Sequence, residues 1–367
     1  MPDQPTNNRT IARNKLMLYG RALLMMLIGL YISRIFLHTL DVVDYGIYSG
    51  EISKRTIKLY HMTCNIINLK RVLEDHKDLD LAFVIGNGVN RYIQGNDDWS
   101  WKNILCKAWG QFTNYNVSCI EGMSLTEMYD ILELHIERNK ADSLKEKIIE
   151  PFKEGCQLES YEEIRKYLEH WDVPVLTTNF DHMLEMGYSR MTLKHPLITG
   201  RYYAKNYYYP WDRYFSNKQI HDAAHDYAIW HINGFVDFPK SIKLSSSEYI
   251  AQASYSRAYI HKNSMDDFYN KNINNWIGYN TWLHPIFNCS LCFIGLSLNE
   301  DETFLRWLLL ERKKYYKKFP DRVHQGWYVY KEDEMFQQGK ELFMKGVGLE
   351  PVAVKEYSEI YEDLLKK

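Results

Sequence analysis

A chain of 367 residues, 46% hydrophobic and 25% charged, has the length and composition of one large folded domain or two modest ones, not of a disordered or fibrous protein. A formal net charge of −2 sets up no field that would gather nucleic acid, so direct nucleic-acid binding is not expected. Six cysteines scattered without a disulfide rhythm fit a reducing compartment, and the cytoplasm is the expected location.

The first 52 residues stand apart. Leu16 to Leu40 is strongly apolar but interrupted by Arg21 and Arg34, and its charge-free core, Ala22 to Ser33, is shorter than the roughly 20 residues a spanning helix needs. A hydrophobic N-terminal helix is expected, either making membrane contact through residues 16–40 or packing on the soluble domain. No small-residue cleavage site follows Leu40, which argues against a signal peptide. From about Ser53 the chain turns soluble, so residues 1–52 and 53–367 are expected to be separate units, the first dispensable for the chemistry of the second.

Ile57 to His76 carries Leu59, Met62, Ile66, Leu69 and Val72 near helical spacing. Leu79 to Ile85 is a short apolar run that ends in Gly86-Asn-Gly88, as a buried strand entering a turn does. The stretch from about 100 to 168 reads as a helical insertion. Further apolar runs follow: Val173 to Thr178 ending at Asn179, Tyr227 to Ile232 ending at Asn233-Gly234, and Leu291 to Gly295. Glu302 to Lys318 reads as a helix whose basic run from Arg306 is a solvated face. Gly326 to Tyr330 and Glu350 to Val354 complete the set. Cys289-x-x-Cys292 lies in an apolar run with no second pair after it, so the two read as buried strand cysteines rather than half a zinc site. Short buried strands alternating with helices predict an α/β fold, a Rossmann-like doubly wound parallel sheet with a helical insertion.

Ligands of such sheets lie beyond the carboxyl ends of the strands, where this sequence places its Gly, Asn, Asp and His residues. Gly86-Asn-Gly-Val-Asn-Arg91 lets the backbone approach a pyrophosphate, with free N–H groups at the following helix, or is a plain Asn-Gly turn. Asn179 and Asp181 either cap a helix or bind ribose hydroxyls and a water. His231 is either a satisfied core residue or a reactive group.

Taken in order, the motifs are Gly86-x-Gly88, Thr177-x-Asn179-x-Asp181, His231-x-x-Gly234, Pro239-x-Ser-Ile-x-Leu with Tyr249, and Phe293-Ile-Gly295-x-Ser297-Leu-x-x-Asp301. The series resembles the sirtuin-like domain of bacterial anti-phage NAD hydrolases, from about Leu79 to the C-terminus. The resemblance implies NAD as substrate, cut at the nicotinamide bond to give nicotinamide and ADP-ribose. It assigns Asn179, Asp181 and His231 to catalysis, with His231 as general base. Gly86, Asn87, Gly88, Asn90, Thr177, Gly234, Gly295 and Ser297 are assigned to NAD binding. It also implies a homo-oligomer and a sensor or ATPase partner that holds the activity off. Protein-deacylating sirtuins insert a zinc ribbon after the His-Gly loop, and no cysteine occurs between Gly234 and Cys289. No zinc is therefore expected, and water is favoured over acyl-lysine as acceptor. A non-catalytic module that binds NAD or ADP-ribose, and an NAD-dependent deacylase, are the competing readings. Separately, Arg13 to Tyr19, Tyr31-x-Ser-Arg34 and Leu40 to Tyr48 resemble the N-terminus of polysaccharide flippases.

Overall fold

A computed structural model of the chain describes residues 66–74, 79–113, 122–136, 138–153, 159–193, 211–261, 276–332 and 338–366, with backbone alone for 138–143. Cys64–Lys367 forms one compact unit, and Met1–Thr63 is assigned to another. The apolar N-terminal helix, the flippase-like start and the first part of the helix expected over 57–76 lie outside the described residues. No helix among the described residues is long and apolar enough to cross a membrane.

Eight strands form one sheet: β1 (Leu81–Ile85), β2 (Val175–Thr177), β3 (Ser189–Thr192), β4 (Arg213–Ser216), β5 (Ile229–His231), β6 (Ser290–Ile294), β7 (Gly326–Lys331) and β8 (Glu350–Val354). Their order is β3-β4-β5-β2-β1-β6-β7-β8. The six from β5 to β8 are parallel, and β3 and β4 extend the β5 edge antiparallel. The expected doubly wound parallel sheet is what the chain forms.

The central strands are buried at every position because both faces are covered, and their polar residues, Ser290, Thr177 and His231, fall at strand ends. Leu81, Phe83 and Ile85 of β1 join Cys292 and Ile294 of β6 in one core, while Ala82 and Val84 join Leu291 and Phe293 in the other. On the first face pack α1 (Ile66–Glu74), α2 (Gly88–Gln94), α3 (Trp101–Phe112), α4 (Leu125–His135), α5 (Arg138–Lys153) and α6 (Glu159–Trp171). On the second pack α7 (Ser246–His261), α8 (Leu283–Asn288), α9 (Thr303–Lys318) and α10 (Gln338–Val347). Helix starts are set locally. Ser124 and Glu127 form a reciprocal capping box at α4, and Ser100 accepts from the Asn103 N–H at α3.

Three features depart from the sequence reading. β3 and β4 carry no apolar run: β3, at the edge, is exposed or half-exposed throughout, and β4 is four residues long with only Tyr214 and Phe215 entering the two cores. No helix follows Asn179, and residues 178–188 are turns and bends. Arg312, in the basic run, is 1% exposed and donates to the carbonyls of Cys289 and Gln325 at 2.8 and 3.2 Å. That stretch of α9 is thus a clamp across the strand entrances rather than a wholly solvated face. Cys292 lies within β6 and Cys289 just before it, both fully buried.

The loops leaving β1 and β6 touch. A Cβ on Gly88 would stand 2.6 Å from Gly295 Cα and 2.7 Å from the Tyr361 hydroxyl, both far inside contact distance. Gly88→Ala is expected to cost about 1–3 kcal/mol through this forced overlap. Thermal unfolding of the variant beside the parent protein measures it.

Candidate functional site

Strand β1 sits where the order reverses, with β2 and β5 on one side and β6, β7 and β8 on the other. The chains leaving β1 and β6 depart to opposite faces, which opens a crevice at the carboxyl edge. A cleft of about 420 Å³ lies there, of the volume that holds a small-molecule ligand. Asn87, Gly88 and Arg91 follow β1 into it, Thr178 follows β2, and Asn233 and Lys243 follow β5. Gly295, Ser297, Asp301 and Glu302 follow β6, and Trp101 and Lys102 of α3 close one side.

Of the N–H groups expected free at the start of the following helix, that of Gly88 is taken up, as is that of Gly86 before it. Gly86 donates to the Ile294 carbonyl at 2.9 Å and Gly88 to the Gly295 carbonyl at 2.8 Å. These glycines weld the β1 loop to β6, so an anion in the cleft falls to the cationic side chains of Arg91, Lys102 and Lys243. Burial pushes Lys243 down to about 8, with Lys145 adding to the shift and Glu248 opposing it. At the β6 end, burial and then Asp301 push Glu302 up to about 7. The cleft thus has cationic side chains at Arg91, which pairs with Asp97, and at Lys102, and carboxyls at Asp301 and Glu302 after β6. Asn233 is buried, and its Oδ1 has no hydrogen-bond partner among the described residues. An unpaired buried acceptor costs free energy that a ligand's donor can recover.

Behind the wall lies a buried polar network. Asn90 Nδ2 donates to Asn87 Oδ1 at 2.9 Å and to Asp181 Oδ2 at 2.7 Å, and the Tyr161 hydroxyl donates to Asn90 Oδ1. Asp181 Oδ1 accepts the Met183 N–H. Thr177 holds the strand end, donating to the Ile85 carbonyl and accepting the Asn179 N–H. Asn179 Nδ2 donates to the Gly86 carbonyl at 3.3 Å. The Asn179 carbonyl faces His231 Nδ1 at 2.6 Å, and His231 Nε2 faces Glu185 Oε2 at 3.1 Å. A carbonyl only accepts, so Nδ1 carries the proton in this arrangement.

Two buried carboxyls sit together here with opposite shifts. Burial, then the charge of Glu185, raises Asp181. Burial works against ionised Glu185 too, but His231 and His182 beside it outweigh that and hold it below the ordinary glutamate value. The hydrogen bonds that Asp181 accepts from Met183 and Asn90 oppose its shift without cancelling it.

His231 also lines a second cavity of about 260 Å³, with Gly234, Gln252, Tyr259 and Trp282. Lys243 belongs to the walls of both cavities. Gly234 has a φ of 99°, a left-handed turn that lets the loop after β5 fold back onto Ser241 and Ile242.

Of the residues singled out in the sequence, Asn87, Gly88, Gly295 and Ser297 line the cleft. Asn90, Thr177, Asn179 and Asp181 lie buried behind it, and His231 and Gly234 border the second cavity. Sequence reading missed Glu185, His182, Lys243 and Asn233. Asn233 and Lys243 follow a recognised strand end, the one local signal they offered; the partners of Glu185 are His182 in its own turn and His231 at the end of β5.

Among known proteins, residues 173–352 match the family model of the SIR2-like domain. No curated protein matches the chain. The match covers β2 through most of β8, and so includes the Asn179, Asp181 and His231 segments and the Gly295 loop, while β1 and its Gly86-Asn-Gly88 turn enter the same sheet from outside it. With a doubly wound sheet, a crevice at its reversal point and this match, residues 173–352 are similar to the SIR2-like domain, the sirtuin-like class whose members use NAD.

Proposed function

We propose that the protein hydrolyses NAD at the nicotinamide glycosidic bond, releasing nicotinamide and ADP-ribose, and that it serves as an anti-phage effector. The observation that carries this reading is the joining of Asn179, His231 and two buried carboxyls directly behind a cleft at the reversal point of a SIR2-like sheet. Breaking the nicotinamide bond builds positive charge on the ribose. Acceptors held in a dry site, the Asn179 amide and the Glu185 charge, favour that state without reorganising. Arg91, Lys102 and Lys243 suit the pyrophosphate, and the unpaired Asn233 Oδ1 suits a hydroxyl or amide donor of the dinucleotide. His231 acts on the incoming water. Both its nitrogens are engaged, so one partner must be released as substrate binds. That requirement fits an enzyme held inactive until a partner, or self-assembly, remodels the site. Water is the acceptor, with no zinc ribbon and no lysine deacylation. Residues 1–52 act, if at all, as a membrane tether for a cytoplasmic domain.

Incubation of the full chain with NAD, alone and at rising protein concentration, is expected to yield equal amounts of nicotinamide and ADP-ribose by chromatography. Binding of NAD with no product at any protein concentration, with or without an acetyl-lysine peptide, would count against hydrolysis and favour the non-catalytic module.

A further inference from the structure

We propose that Glu185 is a counter-ion shared by two histidines, so that the charge on surface-facing His182 sets the charge of enclosed His231. The inference deepens the functional reading above, because it names a positioning residue for the same site. It does not depend on turnover.

The four side chains run from solvent to interior in one line. Asp237 is 48% exposed, His182 28%, Glu185 2% and His231 1%. His182 Nε2 meets Asp237 Oδ1 at 3.0 Å, and His182 Nδ1 meets Glu185 Oε1 at 3.2 Å. The other carboxylate oxygen of Glu185 meets His231 Nε2 at 3.1 Å. The His182–Glu185 contact is an ion pair not aligned as a hydrogen bond, so the coupling is electrostatic and needs no proton transfer along the chain. Phe215 and Phe235, whose rings lie 5.6 and 4.6 Å from that of His231, pack against its inner end. Phe235 also packs edge-on against His182 at 4.8 Å. Charges so close and so buried interact far more strongly than on an open surface.

Other charged groups reach the line only from its sides. Asp181 faces both Glu185 and His231, Lys243 and Glu248 line the cavity that His231 borders, Arg190 reaches Asp237 at 3.9 Å, and Arg165 donates to the Met183 carbonyl in the same turn. None stands between the two histidines. The sign follows from the sharing. A proton on His182 draws on the Glu185 charge and repels a proton on His231. Neutral His182 leaves Glu185 wholly to His231, which then holds its proton more tightly.

The test is a pH titration of the full chain labelled with ¹³C at histidine, with the His231 signal assigned by its loss in His231→Gln. In His182→Gln the His231 midpoint is expected to rise by half a pH unit or more, about threefold in proton affinity. Asp237→Asn, which weakens protonation of His182, should move it the same way, and His182→Lys, a permanent cation, should move it down. An unmoved His231 midpoint, or movement in one direction for both Gln and Lys, would overturn the proposal. The three variants lie at the surface, and an unchanged amide spectrum reports an intact fold. NAD cleavage followed across the same pH range separates the two readings. Titration shifts without a matching shift in the rate profile keep the shared counter-ion and remove His231 from the chemistry. Unmoved titration with intact cleavage does the reverse.

Discussion

Asn179→Ala is expected to lower nicotinamide release by about 100-fold or more, the loss typical when a polar group aimed at a transition state is removed. The stability cost should be small. The side chain makes one long bond, to the Gly86 carbonyl at 3.3 Å, and that kind of interaction contributes about 1 kcal/mol. Single-turnover release of nicotinamide, read beside the thermal midpoint, separates chemistry from folding. A variant that keeps parental turnover excludes the Asn179 amide from the reaction. His231→Ala does not offer so clean a comparison. It strands Glu185 as a buried charge with one partner gone, so its loss of activity would mix with loss of stability. His231→Gln, which retains a donor, is the better variant.

Glu185→Ala is the substitution expected to damage the fold most. The carboxylate is 2% exposed and is the shared anion of His231 and His182, so removing it leaves protonated histidine without its charge partner. Breaking a buried pair in this way costs about 3–5 kcal/mol, a fall in melting temperature on the order of 10 °C. Glu185→Gln keeps the shape and should lose less. The pH dependence has a definite sign. Glu185 is held below its ordinary value in the folded state, so its stabilisation is present above that ordinary value and fades as pH falls through the folded one. The gap between the parent and Glu185→Gln should therefore shrink on acidification. Asp181, raised by burial, behaves in the opposite sense: its contribution is present at low pH and lost as pH rises through its folded value. Asp181→Asn sets an amide NH2 against one of the two donors that Asp181 accepts from, so its cost should persist at low pH, where the charge is gone. Melting curves from pH 4 to pH 8 test both; equal gaps at all pH values would remove the charge from the account.

Much of this architecture was legible in the residues because parallel strands covered on both faces must be apolar throughout. The runs at Leu81, Val175, Ile229, Ser290, Gly326 and Glu350 could hardly be read otherwise, and their alternation with helices led to the doubly wound sheet. The Gly, Asn and His residues at the strand ends marked the functional edge for the same reason: a polar residue that closes an apolar strand sits where the strand meets the crevice. Helix–strand order along the chain is local information, written in spacing and caps. What the tertiary structure alone decided was pairing across distance. Nothing near Gly86 in the sequence shows that its N–H is spent on Ile294, some 200 residues on. Nor does the His231 segment reveal that both ring nitrogens are already bound, one to Asn179 and one to Glu185. Arg312 looked solvated because its neighbours are charged, and it is buried because three strand-entrance carbonyls converge on it. Strands β3 and β4 escaped for a related reason: they are four residues each, and β3 pairs at the sheet edge with no buried residue of its own. Sequence thus determined which segments are buried and where the polar ends gather. Which buried donor meets which acceptor, and so which charge each group carries, depended on contacts that only the folded chain brings within 3 Å.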